Sequence, residues 1–225
     1  MPIGRILQNL QKMIEIAGDK DRLRPHVKTH KLPEIIGMHL SLGITRFKCA
    51  TIAEAEMVAG SGGQDVLLAY QPVGPNAVRL RFLADRYPKT EWGTVVDDIG
   101  MVQTLSDVFA GAESDLAVYL DLNCGMNRTG ILPGPDARVI YEAICNAAGL
   151  KAGGLHAYDG HNHEQNLVKR TAKCESDFKP VLDFRKQLEE AGMEVPGLVA
   201  SGTPTFSIHA CYSDRQCSPG TTVLW

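Results

Sequence analysis

The residues best suited to chemistry in this sequence begin with Lys28, a lysine placed directly behind the short apolar run Pro25-His26-Val27. An amine at the rim of an apolar strand end is partly stripped of water. That lowers its pKa and suits it to forming a Schiff base with a carbonyl, the competing reading being an ordinary solvated lysine. Lys31, farther along the same loop, is the rival amine. A second group is His156, His161 and His163 with Glu164. Imidazoles suit acid–base work or metal binding. However, this spacing on one loop lacks the second ligand pair of a closed zinc site, so no metal ligand is assigned. A third pattern is Ser201-Gly202-Thr203 together with Gly220-Thr221, where glycine lets backbone N–H groups approach an anion and hydroxyls add donors. A plain turn around Pro204 is the alternative there.

These residues need elements to hold them. Eight short apolar, β-branched stretches alternate with segments of helical period, which is the pattern of βα units and a parallel sheet. The stretches are 25–27, 46–50, 65–70, 92–96, 115–122, 152–156, 197–200 and 221–225. Helical spacing fills 6–14, 52–59, 78–87, 99–109, 137–148 and 178–191, and Thr51 with Glu54 reads as a capping box. The fold class expected is α/β, a (β/α)8 TIM barrel over residues 1–225 as one domain, with the last stretch lacking a helix behind it and leaving apolar surface. In such a barrel the site gathers beyond the C-terminal strand ends. This singles out Lys28, Gln71, Asp121 to Gly130, His156 to His163, Ser201 to Thr205 and the approach to the last strand at Ser218 to Thr221.

Composition narrows the function. Lys+Arg number 23 against 26 Asp+Glu, a net charge of -3, so no basic field exists to attract nucleic acid or anionic lipid. Hydrophobic residues at 44% are broken into short runs, none of the length a membrane span requires. The N-terminal segment passes straight into amphipathic helix with no leader pattern, and six cysteines lie scattered with no C-x-x-C pair. The expectation is a cytoplasmic protein with reduced thiols, no nucleic-acid partner and no membrane.

Five ordered motifs carry a resemblance. Arg24-Pro25-His26-Val27-Lys28-Thr29-His30-Lys31 resembles the pyridoxal-phosphate lysine motif of the D-threonine aldolase and D-serine dehydratase family, alanine-racemase-like enzymes of fold-type III. Asp121 to Gly130 resembles that superfamily's D-x-G-M-x-R-x-G element. Tyr158-Asp159-Gly160-His161 resembles the aldolase branch, and Ser201 to Thr205 its phosphate loop; Cys217 to Thr221 resembles the entry to the last strand. The resemblance implies that Lys28 holds pyridoxal 5'-phosphate and that Arg128 sits near its phenolic oxygen. Tyr158 would face the ring, Ser201, Gly202, Thr203, Gly220 and Thr221 would hold the phosphate, and Gln71 would stand at the rim.

The implied reaction is retro-aldol cleavage of a D-3-hydroxy amino acid, D-threonine to glycine and acetaldehyde, with His161 or His163 as base. D-serine dehydration, racemisation and a non-catalytic pyridoxal-phosphate carrier are the alternatives. Family members also carry a strand before the first helix and a C-terminal β domain bearing the ligands of a divalent metal, Mn2+ or Zn2+, and they form homodimers. Neither piece is found here, so the resemblance implies a truncated barrel that binds the cofactor better than it turns substrate over.

Overall fold

The computed structural model describes residues 3–225. Helix α1 (Ile3–Ala17) leads to α2 (Pro33–Ser41), after which strands and helices alternate: β1 (Arg46–Cys49), α3 (Ile52–Gly60), β2 (Asp65–Leu68), α4 (Pro75–Arg86), β3 (Glu91–Val96), α5 (Ile99–Phe109) and β4 (Leu116–Leu122). They continue through α6 (Pro135–Asn146), β5 (Leu150–Ala157), α7 (Leu167–Glu190), β6 (Leu198–Ala200), the short α8 (Phe206–His209) and β7 (Gln216–Cys217). The seven strands form one parallel sheet in chain order.

The expected eight-stranded barrel is corrected at both ends. The segment 25–27 is not a ladder strand: Val27–Thr29 is a single 3-10 turn. Isolated parallel bridges, Leu23 with Cys217 and His26 with Lys48, nevertheless set this segment between β7 and β1 and join the sheet's two edges. Its backbone is satisfied there, with Arg24 N–H donating to the Cys217 carbonyl at 2.8 Å and Lys48 N–H to the Pro25 carbonyl at 2.9 Å. Pro25 has no N–H to give, which limits regular pairing. The segment 221–225 is likewise no strand. Thr221–Leu224 is a 3-10 turn, and the last strand lies earlier, at Gln216–Cys217. Ser218 to Thr221 therefore leave a strand instead of entering one.

The apolar end expected to lie bare is covered in part: Val223 is buried while Trp225 is exposed. Ile6, Leu10, Met13 and Ala17 repeat with helical period along α1 and pack in one cluster with Leu23, Cys217 and Val223, while the Asn9 side-chain amide donates to the Val223 carbonyl at 3.1 Å. Helix α1 thus packs over the last strand and the turn that follows it. Two further differences concern helices. Pro33 at a first helical turn opens α2, which periodicity did not single out. Helix α7 begins at Leu167 under an Asn166 cap, well before the expected 178, and carries Pro180 inside it.

Strand alternation decides which side chains face the lumen. On β4, Leu116, Val118, Leu120 and Leu122 pack outward against the helices, while Tyr119 joins Leu67, Val95 and Val199 in a separate inner cluster. Gly153 makes room for that ring: a Cβ there would stand 2.5 Å from Tyr119 Cε2. The inner cluster is a floor. Below it Arg24, fully buried, pairs with Asp65, and above it Lys48, Asp121 and His156 occupy the inward positions.

Candidate active site

Above the floor a cavity of about 480 Å3 opens at the C-terminal ends of the strands, with His26, Lys28, Lys48, Gln71, Arg128 and Tyr158 among its walls. A hollow of about 750 Å3 around Arg24, Asp65 and Tyr119 marks the opposite end. Its charged groups are spent on each other: Arg24 donates to both oxygens of Asp65 at 2.6 Å and to Gln216 at 2.9 Å. Convergent polar groups not consumed in that way belong to the upper cavity, where barrel sites are built.

Lys28 comes to this cavity because His26 turns the chain. His26 Nδ1 accepts the Lys28 backbone N–H at 3.3 Å, capping the 3-10 turn that carries the lysine upward. Lys28 Nζ lies 5.7 Å from the centre of the Tyr158 ring, Lys48 Nζ also 5.7 Å, and the Arg128 guanidinium carbon 5.1 Å, so three basic groups surround one aromatic ring. Partial burial, with Arg128 adding to it and Glu54 opposing, holds the Lys28 pKa below that of a free lysine. Lys31 is not part of the wall. It adopts a positive φ of 52° and pairs with Glu54 at 3.2 Å. The expected capping box is half formed around that same glutamate: Thr51 Oγ1 accepts the Glu54 N–H, but Glu54 reaches back to the N–H of Ala50.

Beneath Tyr158 lies a chain of side chains, of which Thr129, Asp121 and His156 fall in the expected strand-end segments and Lys48 does not. Thr129 donates to Asp121 Oδ2 at 3.0 Å, Asp121 Oδ1 lies 2.6 Å from His156 Nδ1, and His156 Nε2 lies 3.2 Å from Lys48 Nζ. Sheet register produces this arrangement, since Asp121 pairs with His156 across β4 and β5 and the His26 bridge fixes Lys48. Burial, with Lys28 and Arg24 adding to it and Asp121 and Asp159 opposing, pushes Lys48 down to about 7. Burial and the nearby Lys48 and Lys28 push His26 down to about 2, so its ring is neutral. Burial and Lys48 also lower His156, against the pull of Asp121. Gln71 stands at the rim, its side-chain oxygen accepting the Asp97 N–H at 2.9 Å, while Asp97 in turn receives the Gly130 N–H at 2.7 Å and ties down the loop that bears Arg128.

The two hydroxyl-and-glycine loops do meet. Thr203 Oγ1 accepts the N–H groups of both Gly220 and Thr221, at 3.0 and 3.1 Å, and Ser201 Oγ accepts the Ser218 N–H at 3.2 Å. The Gly202 N–H is already committed to Asp159 Oδ1 at 2.9 Å, which also receives the Thr205 hydroxyl at 2.8 Å. Two buried hydroxyl oxygens beside these loops, Ser218 Oγ and Thr222 Oγ1, have no partner, as expected where an anion would sit. Gly160 and Gly202 hold the loops close to Tyr158: a Cβ on Gly160 would lie 2.2 Å from that ring and one on Gly202 3.1 Å. A lysine at the mouth, an arginine and an aromatic ring beside it and an anion cradle fit pyridoxal phosphate.

The structure does not bring His161 and His163 to this wall. His161 Nε2 lies 2.8 Å from Asp177 on α7, and His163 is exposed on the loop before α7. Among the described residues one set could hold a metal: Asp159, Cys174 and His209, all buried. It does not fit one. Arg215 lies 2.9 Å from His209 Nδ1. A guanidinium only donates, so Nδ1 must be the lone-pair nitrogen and Nε2 must carry the proton that points at Asp159 Oδ2, 2.9 Å away. That proton occupies the position a metal would need. All six cysteines are free, as expected.

A family model described as alanine racemase, N-terminal domain, matches residues 3–224. A D-threonine aldolase of Arthrobacter sp is 26% identical over 213 residues, covering 92% of this chain and 56% of the relative. A 3-hydroxy-D-aspartate aldolase of Paracoccus denitrificans (strain Pd 1222) is 29% identical over 226 residues, covering 96% and 57%. The crystal structure of D-threonine aldolase from Filomicrobium marinum superposes with a TM-score of 0.93 at 29% identity, over 100% of this chain and 61% of that one. The chain thus spans a little over half the length of the relatives it matches.

Proposed function

Because the chain belongs to the alanine racemase N-terminal domain family, we propose that it binds pyridoxal 5'-phosphate in the cavity behind Lys28 and cleaves the Cα–Cβ bond of D-3-hydroxy amino acids. Its reference reaction is D-threonine to glycine and acetaldehyde. The observation that carries this reading is the placement of Lys28, an amine of lowered pKa facing Tyr158 and Arg128 above a floor of apolar side chains. When bound, the cofactor supplies a conjugated electron sink for the carbanion that bond cleavage leaves.

The chain's own residues do the rest. Lys28 Nζ would hold the cofactor at its aldehyde, and Arg128 would set a positive charge beside it. Tyr158 would pack against the cofactor, and Gly160 and Gly202 let their loops close on Tyr158. The hydroxyls of Ser201, Thr203, Ser218 and Thr222 would receive the phosphate, beside the Gly220 and Thr221 N–H groups that Thr203 Oγ1 gathers. Aldolases acting on D-threonine and on 3-hydroxy-D-aspartate among the relatives support a lyase of 3-hydroxylated D-amino acids over a racemase.

The test is incubation with pyridoxal phosphate and D-threonine, with and without Mn2+, followed by separate assays for acetaldehyde and 2-oxobutanoate. Acetaldehyde with glycine is the expected result. 2-Oxobutanoate would instead establish a dehydratase, and D- to L-alanine interconversion a racemase.

A further inference from the structure

Lys48 is an unusual use of a lysine. It sits on the inward face of β1, is 3% exposed, and shares the cavity with Lys28. Its side-chain hydrogen-bond partner is a ring nitrogen, His156 Nε2, at 3.2 Å, and the bridges that Asp121 and Arg24 make go to His156 and Asp65. An ammonium can only donate, so it fixes Nε2 as the acceptor and places the imidazole proton on Nδ1, directed at Asp121. Carboxylate, imidazole and amine therefore stand in line, ending in the cavity wall.

We propose that Lys48 is the proton-carrying group of this cavity, accepting a proton from the bound D-amino acid's hydroxyl as a neutral amine, returning one as an ammonium, and exchanging it with His156 Nε2. The proposal rests on the cavity being the substrate site. In the forward step the substrate O–H bond breaks and an Nζ–H bond forms. In the exchange an Nζ–H bond breaks and an Nε2–H bond forms, and the positive charge passes to an imidazolium beside the Asp121 carboxylate. No oxidant or further reactant is needed.

The charged and titratable groups facing Lys48 come from every neighbouring element. Lys28 and His26 stand on the bridging segment, Arg24 lies below it, and Asp121 is on β4. His156 is on β5, Asp159 lies in the loop beyond, and Arg128 is across the Tyr158 ring. Cations and burial outweigh the two carboxylates, so the amine changes charge close to neutrality, where proton transfer in both directions is efficient. A lysine serving only to fill space would have no need of an imidazole backed by a carboxylate.

The test uses the cofactor-free chain with 13C-labelled lysine side chains, titrated by NMR. One resonance should titrate near neutrality, vanish in both Lys48→Met and Lys48→Arg, and shift to lower pH in Asp121→Asn, by about one unit. In protein loaded with pyridoxal phosphate, kcat/KM for D-threonine should show a limb with the same midpoint. Lys48→Arg should lose that limb while keeping the visible absorbance of the cofactor on Lys28. All lysines titrating above pH 9, or an unchanged limb in Lys48→Arg, would overturn the proposal. Cofactor held on Lys28 while Lys48 titrates like a free lysine would overturn this inference alone, whereas no cofactor uptake at all would overturn the function proposed above and with it this use of Lys48.

Discussion

Arg24 and Asp65 meet through two parallel hydrogen bonds of 2.6 Å beneath the inner floor of the sheet, joining the bridging segment to β2. Arg24 is buried at 1% exposure while Asp65 keeps 27%, so removing the arginine strands a carboxylate that water reaches only in part. Arg24→Ala should destabilise the fold by about 3 kcal/mol, read as a lower urea midpoint. The same variant should leave the basic groups around Tyr158 in place. An unchanged urea midpoint would show that the pair contributes nothing.

Three amines lie near the mouth, but their surroundings differ. Lys28 stands exposed at the mouth beside Tyr158, Lys31 is paired with Glu54, and Lys48 is engaged with His156. Borohydride reduction of the pyridoxal-phosphate-loaded protein should leave the pyridoxyl group on Lys28 in a peptide map. Label on Lys31 or Lys48 would refute that assignment.

Ser218 and Thr222 supply the unpartnered hydroxyls of the anion cradle, whereas the Gly202 N–H is held by Asp159. Ser218→Ala should weaken pyridoxal-phosphate binding roughly tenfold, the effect of one hydrogen bond to a charged group. It should leave binding of pyridoxal without phosphate unchanged. Equal weakening of both ligands would place the phosphate elsewhere.

Asp159 is held well within its ionised range: burial pushes its pKa up, but hydrogen bonds from His209, Thr205 and Gly202 more than reverse this. Its folded pKa is therefore below the unfolded one. The stabilisation is present above the unfolded pKa and is lost as pH falls through the folded value. Asp159→Asn should lower the thermal midpoint at pH 7 and flatten its decline in acid, with the largest deficit at neutral pH. A uniform deficit at every pH would show that charge plays no part.

The proton on His209 Nε2 leads to a further expectation. Addition of Co2+ to the cofactor-free chain should produce no thiolate charge-transfer band from Cys174, and Arg215→Met should allow one to appear. A band in the unaltered protein would reassign Asp159, Cys174 and His209 as a metal centre.

Much of the site was legible because barrel geometry points to residues just past the strands. Lys28, Arg128, Tyr158 and Gln71 all reach one cavity, and Ser201 to Thr203 meet Gly220-Thr221. Lys48, Asp121 in its pairing with His156, and the Asp159 clamp were not. Lys48 sits inside the run Arg46-Phe47-Lys48-Cys49, where Phe47 and Cys49 face the helices and the alternate position faces inward. A lysine flanked by two apolar residues on a strand was the available signal. Partners such as Asp121 with His156, or Asp159 with His209, are distant in sequence and depend on register, which no local pattern encodes. The last strand was placed too late because Val223 and Leu224 are apolar for another reason: they meet α1.

That meeting of α1 with the final turn also sets the order in which the molecule can be made. The apolar face of α1 waits for residues near 217–223, which leave a ribosome much later, and Arg24 likewise waits for Gln216. Local βα units between them can form as they emerge, but the ring cannot shut until the segment at 216–223 has emerged. Contacts spanning about 200 residues are slow to form, and the open intermediate exposes sticky surface at both ends. Chains stalled shortly before residue 216 should therefore be protease-sensitive at both termini, even where their middle is already folded.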